Sequence, residues 1–120
     1  MQKLEEEAMK FMQLHNKSMI TADEYQRKAG ETAIYPKKDA LPYLSLGLVS
    51  EAGEVAGKIK KLIRDKTKSD VASEVGDVLW YCAMLASEVG VSLGKIMENN
   101  LEKLNDRKQR GKLQGSGDTR

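Results

Sequence analysis

The 120-residue sequence is short of several things. It has one cysteine, so an intrachain disulfide is excluded. Cys82 lies in the apolar run VLWYCAMLA and is read as a small core residue in a reducing environment. It has one histidine, His15, which excludes a histidine-built metal centre. Aromatic residues make up 5% of the chain, so Leu, Val, Ile, Ala and Met must fill the core. Only two prolines occur, Pro36 and Pro42, and β-branched runs are few, which leaves helix as the dominant structure. The net charge is only +2, from 20 basic and 18 acidic residues, so bulk charge gives no support for binding nucleic acid or a membrane surface. No apolar run approaches the ~20 residues of a membrane helix. The N-terminus, MQKLEEEAMKFMQLHNKS, is acidic and amphipathic, unlike a signal peptide. The expectation is a soluble cytoplasmic protein with one main domain.

What is present is helical signal. Residues 1–18 read as a short helical extension with Leu4, Ala8 and Phe11 on one side; Met19 is a second candidate start residue. Thr21 and Glu24 form a capping box that opens the main domain, residues 19–111. IYPKKDALPY is a loop, followed by a helix from about Leu41 to Arg64. DKTKSD is a polar turn, and a third helix runs from about Asp70 to Glu88, stopping at Gly90. Ser92 caps a fourth, which reaches about Arg110 and stops at Gly111. Residues 112–120 form a tail of loop composition.

Two acid pairs stand out, Glu51/Glu54 in LGLVSEAGEVAGKIKK and Glu74/Asp77 in SEVGDVLWY. With Glu51 at zero and ~100° per residue, Leu44, Leu48, Ala52, Val55, Ile59, Leu62 and Ile63 fall between ~20° and ~120°. Glu54 falls at ~300° and Lys58 at ~340°. With Glu74 at zero, Val71, Val75, Val78, Cys82, Leu85 and Ala86 fill the same sector, with Asp77 at ~300° and Tyr81 at ~340°. Both helices therefore carry acids flanking an apolar stripe, and an antiparallel pair would gather four carboxylates at one edge of the core. The pairs centre on residue 64 but the turn centres near residue 67. A tight hairpin would misplace them by ~7 Å of helix rise. Either the first helix ends early or the connection climbs back along it. Four like charges need a counter-charge, and an all-oxygen set suits Mg²⁺ or Mn²⁺ rather than Zn²⁺.

In the last helix, Leu93, Ile96, Met97, Leu101 and Leu104 form the inner stripe, with Asn100 inside it and Lys103 and Arg107 beside it. Groups facing a core need partners, which a ligand or interhelical hydrogen bonds would supply. GEVAGK is one residue short of a phosphate-binding P-loop and lies mid-helix, so that reading fails. Gly53 and Gly57 are expected to admit a neighbouring helix or subunit. Trp80 is expected on the side away from the acids and the core stripe, as a subunit contact or as a stacking residue for a neighbouring subunit's nucleotide.

E-x-x-E in SEAGEVAGK followed by E-x-x-D in SEVGDVLWY resembles the signature of the MazG-like, all-α nucleoside triphosphate pyrophosphohydrolases, over roughly Thr21 to Arg120. The resemblance implies an all-α bundle of about four main helices that works as a homo-oligomer, a dimer or tetramer. It implies Mg²⁺-dependent cleavage of a (d)NTP to a (d)NMP and pyrophosphate in nucleotide-pool house-cleaning. It makes Glu51, Glu54, Glu74 and Asp77 the metal ligands and catalytic carboxylates, with Glu51 or Glu54 as the base. Lys58 becomes a phosphate contact, and Tyr81, Asn100, Lys103, Arg107 and Arg110 substrate contacts. The tail GSGD is a candidate anion cradle. The competing readings are a dUTPase-like or phosphoribosyl-ATP pyrophosphatase-like hydrolase, and a non-catalytic module binding a protein through Trp80 and the Gly53/Gly57 face.

Overall fold

The computed structural model describes residues 2–15, 19–66 and 70–117, with the backbone alone at 13–15. Its elements are α1 (Gln2–His15), α2 (Ala22–Gly30), a 3-10 turn (Lys37–Asp39), α3 (Ala40–Asp65), α4 (Val71–Glu88) and α5 (Leu93–Gln109). No strand occurs among the described residues. The expected starts and stops are present. Thr21 Oγ1 accepts the Glu24 N–H at 3.1 Å, Asp70 caps α4 through the Ser73 N–H at 3.0 Å, and Ser92 caps α5 through the Lys95 N–H at 3.1 Å. Gly90 and Gly111 follow α4 and α5 with φ of 75° and 68°, the left-handed region in which glycine pays no Cβ penalty. The expected loop at 34–43 is shorter than read. α3 begins at Ala40 and takes Pro42 into its first turn, where a missing N–H costs no helical bond.

α3 and α4 pack as an antiparallel hairpin around Leu44 and Met84, both fully buried, with Ala29, Tyr35, Ala40 and Ala83 completing the core. Removing each large side chain from water contributes roughly 1.5–3 kcal/mol. Tyr81 packs on Gly47 and Lys58 pairs with Glu74, so the start of α4 faces a point well before the end of α3. α3 therefore overshoots the start of α4, which accounts for the register; residues 67–69 of the connection lie outside the described residues. Lys66 closes α3 in the left-handed conformation, φ 56°, its N–H bonded to the Leu62 carbonyl at 3.0 Å.

The overshoot leaves part of the expected stripe uncovered. Leu48 and Val55 are half-buried, while Ala52, Ile59, Leu62 and Ile63 are exposed, Ile63 by 70%. On α4, Ala86 is buried, Val71, Val78, Cys82 and Leu85 are half-buried and Val75 is exposed. Of the expected α5 stripe, Leu93 is half-buried, whereas Ile96, Met97, Leu101 and Leu104 are exposed, and Asn100 with them. The expected burial of Asn100 is thus corrected. Among the described residues α5 packs on α2 and α4, and no described helix covers the middle of its stripe. Leu4, Ala8 and Phe11 of α1 are exposed as well.

α2 is fastened by side chains. Gln26 Nε2 donates to Ser87 Oγ at 3.0 Å and to the Val91 carbonyl at 3.1 Å, and its Oε1 accepts the Leu93 N–H at 2.7 Å. Asp23 Oδ1 accepts the Gly94 N–H at 2.8 Å. Together with Ser92 they satisfy N–H groups of the first turn of α5, and the Asp23 charge faces the positive end of that helix. The segment after α2 folds back over α4. Tyr35 is buried, stacks on Tyr43 with centroids 5.8 Å apart, and meets Trp80 edge-on at 6.4 Å. Its hydroxyl donates to Glu88, and Lys37 lies 4.4 Å over its ring.

Candidate active site

The hairpin places Glu51 of α3 against Glu74 and Asp77 of α4. Each offers a carboxylate oxygen, and these oxygens all lie within 4.8 Å of one another. The spacing follows from helix geometry. Glu74 and Asp77 stand one turn apart on the α4 face that meets α3, and the antiparallel register delivers Glu51 between them. Glu54 lies outside this triad and is exposed, but its charge reaches Glu51. The Glu51 carboxyl is held above its usual range, first by burial, then by the charges of Asp77, Glu74 and Glu54 and a hydrogen bond with Glu74. Lys58 Nζ lies 3.3 Å from Glu74 Oε1, one cation against a group of acids.

Glu51 and Asp77 of the triad line a cavity of about 360 Å³ together with Thr32, Trp80 and Tyr81. Tyr81 meets Trp80 edge-on at 5.0 Å, and its hydroxyl pKa is pushed up by burial first and then by the charges of Tyr43, Glu51 and Asp77. Trp80 Nε1 donates to Thr32 Oγ1 at 2.8 Å, and that hydroxyl donates to the Ala29 carbonyl at 2.7 Å. The expected placement of Trp80 is corrected on both counts. It is half-buried against the core of its own chain and lines the same cavity as the acids. On the helical wheel it lies only ~60° from Asp77, and the returning 31–35 segment covers that side. Thr32 is the wall residue that sequence reasoning missed; it lies in an irregular segment without periodicity, and only the adjacent ETAIYP turn chemistry marks the place.

The α5 candidates are not gathered here. Asn100 and Lys103 line a separate cavity of about 290 Å³ with Ile96 and Asn99. Arg107 is 5% exposed, and Arg110 pairs with Asp106 at 2.8 Å. A Cβ added at Gly53 or Gly57 would meet nothing within 4 Å, so none of the described residues packs directly on either glycine. Gly115 and Gly117 of the tail have φ of 146° and 84°, while Asp118 lies outside the described residues.

Three oxygen donors at this spacing, under mutual repulsion that Lys58 only partly offsets, form a donor set that fits a hard divalent cation. Comparison with known proteins gives the family. The model of the MazG nucleotide pyrophosphohydrolase domain matches residues 42–111, the segment that carries both acid pairs. The chain belongs to the MazG nucleotide pyrophosphohydrolase family. Gene 37 protein of Mycobacterium phage L5 is 46% identical over 111 residues, covering 82% of this chain and 97% of that protein. YvdC of Bacillus subtilis (strain 168), described as uncharacterized, is 34% identical over 79 residues, 55% of this chain and 74% of YvdC. No solved structure matches the chain. No described helix is long and apolar enough to cross a membrane.

Proposed function

We propose that this chain is a Mg²⁺-dependent nucleoside triphosphate pyrophosphohydrolase, converting a (d)NTP and water to a (d)NMP and pyrophosphate. The observation that carries the reading is the convergence of Glu51, Glu74 and Asp77 beside a cavity with an aromatic wall. Those three, with Glu54 at the rim, would hold Mg²⁺, or Mn²⁺ in its place. When bound, the cation supplies counter-charge for the phosphates and acidifies the attacking water.

The side chains do the rest. An oxygen–phosphorus bond forms at the α-phosphorus as the bond to the β-phosphate's bridging oxygen breaks, and pyrophosphate leaves with that electron pair. Glu51 or Glu54 takes the proton of the water. Lys58, paired with Glu74 at rest, is assigned to the departing charge. Tyr81 closes the wall toward the nucleoside end, and Trp80 lines the acid cavity beside it. Asn100, Lys103, Arg107 and Arg110 stay assigned to the substrate only across a subunit boundary, because in one chain they do not line the cavity. A homo-oligomer fits the exposed stripes Ile59/Leu62/Ile63 and Met97/Leu101/Leu104, which a second copy would cover. Cytoplasmic house-cleaning of the nucleotide pool completes the reading.

The test is a product assay with each common NTP and dNTP, with Mg²⁺ and with EDTA. Magnesium-dependent pyrophosphate in a one-to-one ratio with monophosphate is the expected result. Release of inorganic phosphate instead would mean that another bond is cut, and the reading would fall.

A further inference from the structure

Tyr81 is a large ring laid on a glycine. A Cβ built on Gly47 would lie 2.1 Å from Tyr81 Cε1, 2.4 Å from Cζ and 2.8 Å from Cδ1. Those separations are far inside van der Waals contact, so no other amino acid fits at 47 while the ring keeps its place. Gly47 sits inside the long helix α3, where glycine is a poor helix former, and the ring gives it a reason to be there. It lies one turn before Glu51, as Tyr81 lies one turn after Asp77. The Gly47–Tyr81 contact and the Glu51–Asp77 approach are therefore successive rungs of the same antiparallel pair.

The ring also stands between two cavities. One is the acid cavity with Glu51 and Asp77. The other, of about 340 Å³, is lined by Tyr43, Leu46, Gly47, Ser50 and Tyr81. We infer that Gly47 is a positioning residue for the substrate: it seats Tyr81 as the partition between the acid chamber, which takes the phosphates, and the nucleoside end of the cleft. The inference rests on the pyrophosphohydrolase reading and adds the residue that sets the width of the cleft beside the acids. A methyl group at 47 pushes the ring off α3 and into the space the substrate needs, while Glu51, Glu74 and Asp77 keep their places.

The experiment is a double-mutant cycle of Gly47→Ala and Tyr81→Ala, read by steady-state kinetics on the nucleotide that the wild type hydrolyses fastest and by thermal melting. Gly47→Ala is expected to raise KM about tenfold or more with a much smaller change in kcat. Its melting temperature is expected to fall in the wild-type background. In the Tyr81→Ala background the same substitution should leave the melting temperature unchanged or raise it, because the clash is gone and alanine favours helix. A wild-type KM in Gly47→Ala, or an equal loss of melting temperature in both backgrounds, would overturn the inference. Should Gly47→Ala alone fail to fold, recovery on adding Tyr81→Ala supports it and continued failure refutes it. If the wild type releases pyrophosphate from no nucleotide, the hydrolase reading falls and the substrate role of Tyr81 falls with it. The melting cycle would then still show whether Gly47 seats the ring.

Discussion

The two ends of α4 are built on opposite principles. At its C-terminal end, where α2 and α5 meet it, polar groups are matched: Gln26 and Asp23 take up N–H groups of α5, and Ser87 and the Val91 carbonyl receive Gln26. At its N-terminal end, Glu74 and Asp77 face Glu51 of α3, with Lys58 paired to Glu74. The first end is satisfied and resists change. The second is left in need of positive charge, and a protein keeps such an arrangement where a ligand completes it.

Substitutions can break or sharpen this contrast. The largest effect is expected at the acids. Asp77→Asn and Glu54→Gln should each lower turnover by at least ~100-fold. Asp77→Asn should not lower the metal-free melting temperature, because it removes a repelling charge. Pyrophosphate release and melting with EDTA check both; substantial activity in either variant would refute the ligand assignment. Next, Mg²⁺ should stabilise the wild type by roughly 2–3 kcal/mol at about a hundredfold excess over its Kd, and Asp77→Asn should lose most of that gain. At the matched end the pattern reverses. Gln26→Ala, which strands the Leu93 N–H, should cost about 2 kcal/mol in denaturant unfolding and leave kcat near the wild-type value. Thr32→Val removes the acceptor of the Trp80 indole and should cost about 1 kcal/mol, with a shift in tryptophan emission.

The smallest effect concerns pH. The Glu88 carboxyl is held below its usual range, first by the Tyr35 hydroxyl and then by Lys37. A depressed carboxylate adds stability above its unfolded pKa, and that stability is lost as pH falls through the folded value. Glu88→Gln should therefore melt below the wild type at neutral pH and converge with it in acid. A constant gap across the pH range would assign the loss to packing instead.

Much of this was legible in the sequence. Thr21, Ser92, Gly90 and Gly111 mark helix ends through local chemistry, and local chemistry survives folding. Glu51, Glu74 and Asp77 were found because two helices carry acids at the same angle to an apolar stripe, and stripes pair. Trp80 was misplaced because periodicity identifies one covered face of a helix. The second cover on α4 comes from the irregular 31–35 segment, whose path depends on where Tyr35 finds a hole and Glu88 a partner. Asn100 differs for the complementary reason: an apolar stripe says that a face can be covered, and none of the described residues covers Asn100. Gly47 carried no signal of its own, since its meaning lies in a ring 34 residues away.

The Gln26 fastening has a kinetic consequence. Its partners lie 57 to 67 positions along the chain, whereas α3 and α4 are joined by a short turn. Closing the nearer loop, with Lys58 only 16 residues from Glu74, loses less chain entropy, so the α3–α4 hairpin is expected to form before α2 has anything to grip. Gln26→Ala should then leave the refolding rate nearly unchanged and put its cost into faster unfolding, while truncating Leu44 slows refolding. The side chains that latch the finished bundle act as a brake on its opening and take little part in its assembly.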